Sequence, residues 1–333
     1  MKKYTNEQLT NNIISMFKDK VEKDYEKGNT KRDAHSKCTG LLKGYFVVDK
    51  NLNEKYGVGI FKPSKVYPAL IRTSSSNPKV KSDKALDFRG FSIKLLGVEG
   101  QRCTYDEKQT QDFVLISNET MPIGNLKLFH DSIYYLNKSN LLMIGAKLLI
   151  HNNILELIKT MKNLKHISSP LDINYYSTTP YLFGDKIVKY KITPKSNYKS
   201  KLPKKLTNNY LTTNMQKHLH KEEAVFDFSV QFWKNNKLMP INNASVKWDE
   251  ELSPYIKIGE IRIPKQEFIS KERFDLAEVL SYSPGHSLIA HRPIGDINEA
   301  RMKIYEEMSK FRHERNNKKL FEPTKEYFDK IDR

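Results

Sequence analysis

Three residues near the C-terminus have types and spacing that could make a metal ligand. Arg301 and Tyr305 stand four apart, and Arg312 follows seven later, within DINEARMKIYEEMSKFRHER (296–315). An α-helix turns about 100° per residue, so all three fall within about 40° of one another on one face. A free tyrosine has a pKa of about 10, and a neighbouring guanidinium favours its anion. A phenolate is a ligand for ferric iron. The same pattern also fits a basic surface helix whose tyrosine tucks into the core. Upstream, Arg32 and His35 sit in the polar connector GNTKRDAHS (28–36). A lone His just before a strand is commonly a hydrogen-bonded structural residue. Arg72 ends the apolar run PALIR; such a residue either snorkels to solvent or meets a buried anion.

These residues need elements to hold them. Residues 5–27 read as a helix, with Thr5 and Gln8 at capping-box spacing and Leu9, Ile13, Phe17 and Val21 recurring every four. Residues 41–48, 57–61, 68–73, 90–98 and 112–116 read as strands between polar, Pro- or Gly-containing breaks. From Leu126 to Lys162 the period becomes helical, with breaks expected around Gly145 and Asn152. Strands return at 187–192, 226–232 and 256–263. The last of these slips phase at Gly259–Glu260, which predicts a β-bulge. Residues 193–209 read as an exposed basic loop. The closing helix has Asp296 as its expected N-cap. Its stripe Ala300, Ile304, Met308 and Phe311 is expected to pack on a sheet while the arginines and Tyr305 face a ligand.

This order predicts an α+β protein: an antiparallel β-barrel of about eight strands with inserted and flanking helices. Its expected parts are an N-terminal helix (1–27), a main domain (28–315) and a peripheral C-terminal extension (316–333). The main domain contains the helical insertion 126–162 and the closing helix 296–315.

Composition narrows the function. The chain has 333 residues, 38% of them hydrophobic, with 18 Tyr and 16 Phe. That content favours strands and planar apolar pockets. The net charge of +18 suits an anionic partner or simple solubility, but it is spread as short lysine runs and no nucleic-acid motif is visible. No specific nucleic-acid partner is expected. Cys38 and Cys103 form no metal-spaced pattern. The N-terminus lacks an apolar signal core, and no apolar run is long enough for a membrane span. The expectation is a cytoplasmic protein with reduced thiols.

Four stretches, in chain order, together resemble the catalase superfamily, and its small catalase-like (catalase-related peroxidase) branch in particular. They are RDAHSKCTGLLKGYFVV (32–48), YPALIRTSSSN…DFRGFSIKL (67–95), QTQDFVLISN (109–118) and HRPIGDINEARMKIYEEMSKFR (291–312). The resemblance runs from about residue 28 to 315. It implies haem b with ferric iron as cofactor and Tyr305 as axial ligand. Arg301 would stabilise the phenolate. Arg32, Arg72 and Arg312 would meet the haem propionates, although Arg312 could instead support Tyr305. His35 would act as distal acid and base.

The sequence departs from the family at one point. Catalases proper carry a distal Asn in a segment Asn-Asn-Thr-Pro; here the stretch reads Lys108-Gln109-Thr110-Gln111-Asp112. Thr110 or Gln109 is the candidate replacement, and Thr110 is taken as a catalytic candidate. The resemblance therefore implies a peroxidase reducing hydrogen peroxide or an organic hydroperoxide with a small-molecule reductant, and with weak catalase activity at most. A fatty-acid hydroperoxide isomerase and a non-catalytic haem-binding protein are the alternatives. A homodimer is compatible with this class, and no NADPH site is legible.

Overall fold

Antiparallel strands close on themselves around an aromatic interior. The computed structural model describes residues 4–104, 109–150, 153–162 and 164–331. Lys108 and Asn152 lie outside the described residues. The strands are β1 (Cys38–Val48), β2 (Val66–Ser75), β3 (Arg89–Leu96), β4 (Thr110–Ile116), β5 (Tyr175–Tyr176), β6 (Tyr181–Phe183), β7 (Lys186–Pro194), β8 (Ala224–Phe232) and β9 (Ile256–Ile263). They pair in the order β5-β4-β3-β2-β1-β9-β8-β7, and β5 pairs again with β7. This makes a closed barrel of eight antiparallel strands, with β6 paired to β7 outside the ring. Closure leaves the barrel no free edge. Among the described residues eight α-helices flank it: α1 (Asn6–Asp24), α2 (Leu126–Asn137), α3 (Leu141–Ile150), α4 (Ile154–Lys162), α5 (Tyr210–Lys221), α6 (Lys271–Val279), α7 (Asp296–Arg315) and α8 (Lys325–Lys330).

Alternation explains the barrel. In β8, Phe226, Phe228 and Val230 are fully buried, while Asp227 between them pairs with Lys257 at 2.8 Å. The Phe228 ring centroid lies 4.9 Å from that of Phe113 and 5.0 Å from that of Phe46. Burying each such ring contributes about 1.5–3 kcal/mol. The expected bulge is present: Phe228 pairs with Gly259 but Ser229 with Lys257, so Ile258 is the extra residue.

Several expectations are corrected. Residues 57–61 are a turn, not a strand. Gly59 has φ +56°, and a Cβ there would lie 2.3 Å from His291 Nε2. Ile60 and Phe61 instead enter the barrel core, and the Ile60 N–H donates to His291 Nε2 at 3.2 Å. Helix α3 runs through Gly145; the chain breaks before it, at Lys138–Asn140. Helices α5 and α6 were not expected. Both bury polar groups, among them Asn214, Gln216 and His218 on α5 and Arg273 on α6, so neither shows a clean apolar period. The N-cap of α7 is Gly295, and Asp296 occupies the first turn, where its charge favours the helix dipole. The apolar stripe of α7 packs not on a sheet but on helices: Ala300, Ile304 and Met308 meet Leu9 and Ile13 of α1 and Leu126 and Ile133 of α2.

The C-terminal segment is not peripheral. Phe328 of α8 is buried with Leu41, Leu70 and Leu96. Glu322 reaches Lys94, whose Nζ also bonds Asp112 Oδ1 at 2.8 Å. Burial alone would lower the pKa of Lys94, but Asp112 and Glu322 raise it, so the amine is a cation. The ligand atoms of Asp112, His286 and Glu322 lie within 4.8 Å of one another, and the Lys94 ammonium fills the position a metal would take. Lys94→Met strands two carboxylates in the interior. It is expected to lower the unfolding free energy by about 3–5 kcal/mol in a denaturant titration. Adding Glu322→Gln should restore part of that loss. A Lys94→Met cost below about 1 kcal/mol would show that the cluster is solvated like a surface pair.

Candidate functional site

Helix α7, the connector 30–36 and three barrel strands enclose one cavity of about 250 Å³. From α7 come Arg301, Ile304, Tyr305, Met308 and Arg312. From the connector come Arg32, Asp33 and His35. Strands β2, β3 and β4 supply Arg72, Ser92 and Val114. Its apolar lining includes Phe17, Met121, Ile123 and Phe129. Residues separated by about 270 positions in the chain thus share one space, with Tyr305 on the helix side and His35 on the barrel side.

His35 is held by backbone geometry as much as by its ring. Its φ is +56°, a left-handed conformation uncommon for a residue with a side chain. Its N–H donates to Ser76 O at 3.1 Å, and its carbonyl accepts from Arg72 Nη2 at 2.8 Å. Nδ1 lies 3.0 Å from Ser74 Oγ. Gly90 leaves room for this pair: a Cβ there would sit 2.6 Å from both His35 Nδ1 and Ser74 Oγ. Burial, and then the charges of Arg72, Arg32 and Arg301, push the imidazole pKa down to about 3. His35 is therefore neutral at ordinary pH. In the tautomer whose Nδ1–H donates to Ser74, Nε2 keeps a free lone pair.

The helix side pairs a tyrosine with a fixed cation. Arg301 Nη1 donates to Thr179 Oγ1 and Asn298 Oδ1, both at 2.9 Å. Its guanidinium carbon lies 5.4 Å from the centroid of the Tyr305 ring. Burial works against the charge on Arg301, but Tyr305 and Tyr181 raise its pKa.

Arg32, Arg72 and Arg312 converge at the cavity edge around Glu278 of α6. Arg32 Nη2 donates to the carbonyls of Ala277 at 2.8 Å and Leu280 at 2.7 Å. Arg312 donates to the carbonyls of Glu278 and Leu280. Burial, then the nearby charge of Arg72, lowers the pKa of Arg32 to about 10. Burial raises Asp33 to about 6. Glu278 is held low: burial opposes ionisation, but Arg32 and Arg72 outweigh it.

The structure brings together Arg32, His35, Arg72, Arg301, Tyr305 and Arg312. It does not bring Thr110 to them. Thr110 is buried at the far end of β4, where its hydroxyl donates to Glu322 Oε1 at 2.7 Å. Its neighbours are latches as well. Gln111 Oε1 accepts from the Leu288 N–H at 2.9 Å, and Asp112 Oδ2 accepts from the Ser283 N–H at 2.9 Å. The cavity meets β4 only at Val114, Leu115 and Ile116. Sequence reasoning missed Ser74, Gly90 and Glu278. The Ser run 74–76 and the Arg-Gly-Phe segment signalled the first two weakly. Glu278 was out of sight because α6 was.

No protein-family model and no curated protein matches this chain. Its fold has clear counterparts among solved structures. The chain superposes on a fungal catalase with TM-score 0.67 at 17% identity, covering 85% of this chain and 59% of that one. A bacterial catalase gives 0.67 at 15% identity, covering 88% and 60%. Catalase A from Saccharomyces cerevisiae gives 0.68 at 18% identity, covering 87% and 65%. The architecture is thus catalase-like, and the chain spans about three fifths of the length of these catalases.

A haem needs cations for two carboxylates, an iron ligand and apolar walls. Arg72 Nε and Arg32 Nη1 are buried without a hydrogen-bond partner, the latter 3.5 Å from Glu278. Three guanidiniums in the cavity wall (Arg32, Arg72 and Arg312) lie near two carboxylates, Asp33 and Glu278. The surplus suits an anion, since guanidiniums bind carboxylates with paired donors. A tyrosine hydroxyl beside a guanidinium and walls of Ile304, Met308, Val114 and Phe129 complete a set that fits.

Proposed function

We propose that this chain is a haem-dependent peroxide-handling enzyme, and specifically a peroxidase of the small catalase-like type. It would reduce hydrogen peroxide or organic hydroperoxides at the expense of a small-molecule reductant. The observation that carries the proposal is the placing of a neutral, serine-held His35 across one arginine-lined cavity from an Arg301–Tyr305 pair. Catalase-like architecture adds support, because the structural neighbours are catalases.

Tyr305 would hold haem b through its phenol oxygen, with the Arg301 guanidinium beside its ring. Arg32, Arg72 and Arg312 would bind the propionates. A ferric haem so held would supply the redox chemistry that cleaves a peroxide O–O bond. His35 Nε2 would take the proton of the hydroperoxide and return it to the departing oxygen, as base and then acid. Ser74 keeps the ring facing the cavity through Nδ1. The Val114, Leu115 and Ile116 wall offers no amide to orient a small peroxide. It favours a hydroperoxide with a hydrocarbon tail over dismutation of hydrogen peroxide, and it keeps rearrangement of such a hydroperoxide in the same frame.

The test is direct. Purified protein reconstituted with haem should show a Soret band with a high-spin ferric tyrosinate spectrum and turn over cumene hydroperoxide with a reducing dye. Stoichiometric haem binding without turnover would leave a haem carrier; no haem binding would sink the proposal. Gly90→Ala supplies a finer check. The added methyl must displace Ser74 and His35, so the rate with peroxide should fall about 10²-fold with the haem spectrum unchanged. An unaltered rate would mean that His35 is not held for catalysis.

A further inference from the structure

Nearly half of the exposed large apolar side chains among the described residues lie in one short segment. Of 21 such residues among those described, ten fall between Tyr134 and Met161. They include Leu141, Leu142, Leu149 and Ile150 on α3 and Leu155, Ile158 and Met161 on α4. Leu142 is 88% exposed and Ile150 73%. A soluble surface scatters such residues singly. Here they are gathered on two short helices set at 114° to each other.

Charge frames this patch. Residues 127–165 hold six lysines (127, 138, 147, 159, 162 and 165) and two acids, Asp131 and Glu156, a local excess of +4. Both acids are engaged inside the protein: Asp131 by Lys127 and Lys147, and Glu156 by Thr120. Lys138, Lys159, Lys162 and Lys165 remain exposed around the apolar face. Leucines with a lysine border describe a helix that lies in a bilayer interface. At ten residues α3 is about 15 Å long, far short of a hydrocarbon core of about 30 Å. No single helix among the described residues is long and apolar enough to cross a membrane. A second copy would suit the apolar face but would bring two lysine borders together, which like-charge repulsion disfavours.

The helix pair is also fixed to the cavity wall. Asn153 Nδ2 donates to the carbonyl of Pro122 at 2.8 Å, between the lining residues Met121 and Ile123, and Thr120 donates to Glu156. We propose that α3 and α4 form an interfacial docking surface for an anionic lipid bilayer, holding this wall of the cavity close to the membrane. A membrane-borne hydroperoxide would then meet the site at short range. This corollary rests on the peroxidase reading; the docking itself does not.

Flotation of the full chain with lipid vesicles tests it without haem chemistry. Binding to phosphatidylcholine–phosphatidylglycerol vesicles should exceed binding to phosphatidylcholine alone by at least about tenfold. The double variant Leu142→Glu/Leu155→Glu should weaken it at least about tenfold. Both side chains are exposed, so circular dichroism and turnover of a water-soluble hydroperoxide should not change. Leu142→Trp should show blue-shifted emission with the mixed vesicles that the wild type lacks. Three results would overturn the proposal: no vesicle binding by the wild type, equal binding by the double variant, or a vesicle-free dimer that the double variant dissociates. Loss of turnover with intact vesicle binding would instead strike the peroxidase reading.

Discussion

Haem-reconstituted Tyr305→Phe is expected to lose the high-spin tyrosinate spectrum while the protein stays folded. The reason lies in how α7 is held. Its stripe Ala300, Ile304 and Met308 packs on α1 and α2, and the Tyr305 hydroxyl takes no part in that contact. Arg301 keeps Thr179 and Asn298 as partners when the hydroxyl is gone, so no buried guanidinium is orphaned. Removing one oxygen would therefore remove the proposed iron ligand and little else. Turnover with hydroperoxide should fall below about one part in 10³ of the wild-type value, because the phenolate's electron donation helps cleave the O–O bond. Ultraviolet–visible and electron paramagnetic resonance spectra at matched haem content decide the matter. An unchanged ferric spectrum would remove Tyr305 from the iron and leave α7 as the basic helix that its composition also suits.

His35→Ala should keep haem and its tyrosinate spectrum but slow the reaction with hydroperoxide by about 10²–10⁴-fold, the span of general acid–base catalysis. The pH profile gives a second reading. An ordinary histidine titrates near 6.5, whereas burial and the arginine cluster hold His35 down at about 3. The wild-type rate should then stay level from pH 8 to about 4 and fall as the imidazole protonates near 3. An inflection near 6.5 would show that the ring is solvated and the site more open. Stability follows with the same sign. A folded pKa below the unfolded one means that the His35 contribution is complete above about pH 6.5 and is lost as pH falls through about 3. Ser74→Ala should cost less than His35→Ala, since it frees the ring without removing the base. Equal losses from both changes would mean that His35 works only as part of the pair.

The motifs read in the sequence name residues that share one cavity in the fold. Arginines spaced along one helix face with a tyrosine, and an Arg-x-x-His before the first strand, are local facts, and local spacing survives folding unchanged. The barrel was legible for the same reason: β8 alternates Phe226, Phe228 and Val230 with polar residues because one face is buried, and period two is a local signal. What lay across the chain was not. Thr110 read as a distal candidate because its stretch aligned with the distal segment, but pairing with β3 places it opposite Leu96, at the end of the strand nearer Glu322 than His35. The C-terminal segment read as polar and peripheral because sequence shows Glu322 as one more charge; only the folded chain brings it to a buried Lys94. The helices α5 and α6 escaped because buried polar groups satisfied by distant partners leave no apolar period. Residue chemistry and spacing thus determined what this site could do. Strand register and the long-range partners of buried charges, which no single segment contains, decided which residues reach it.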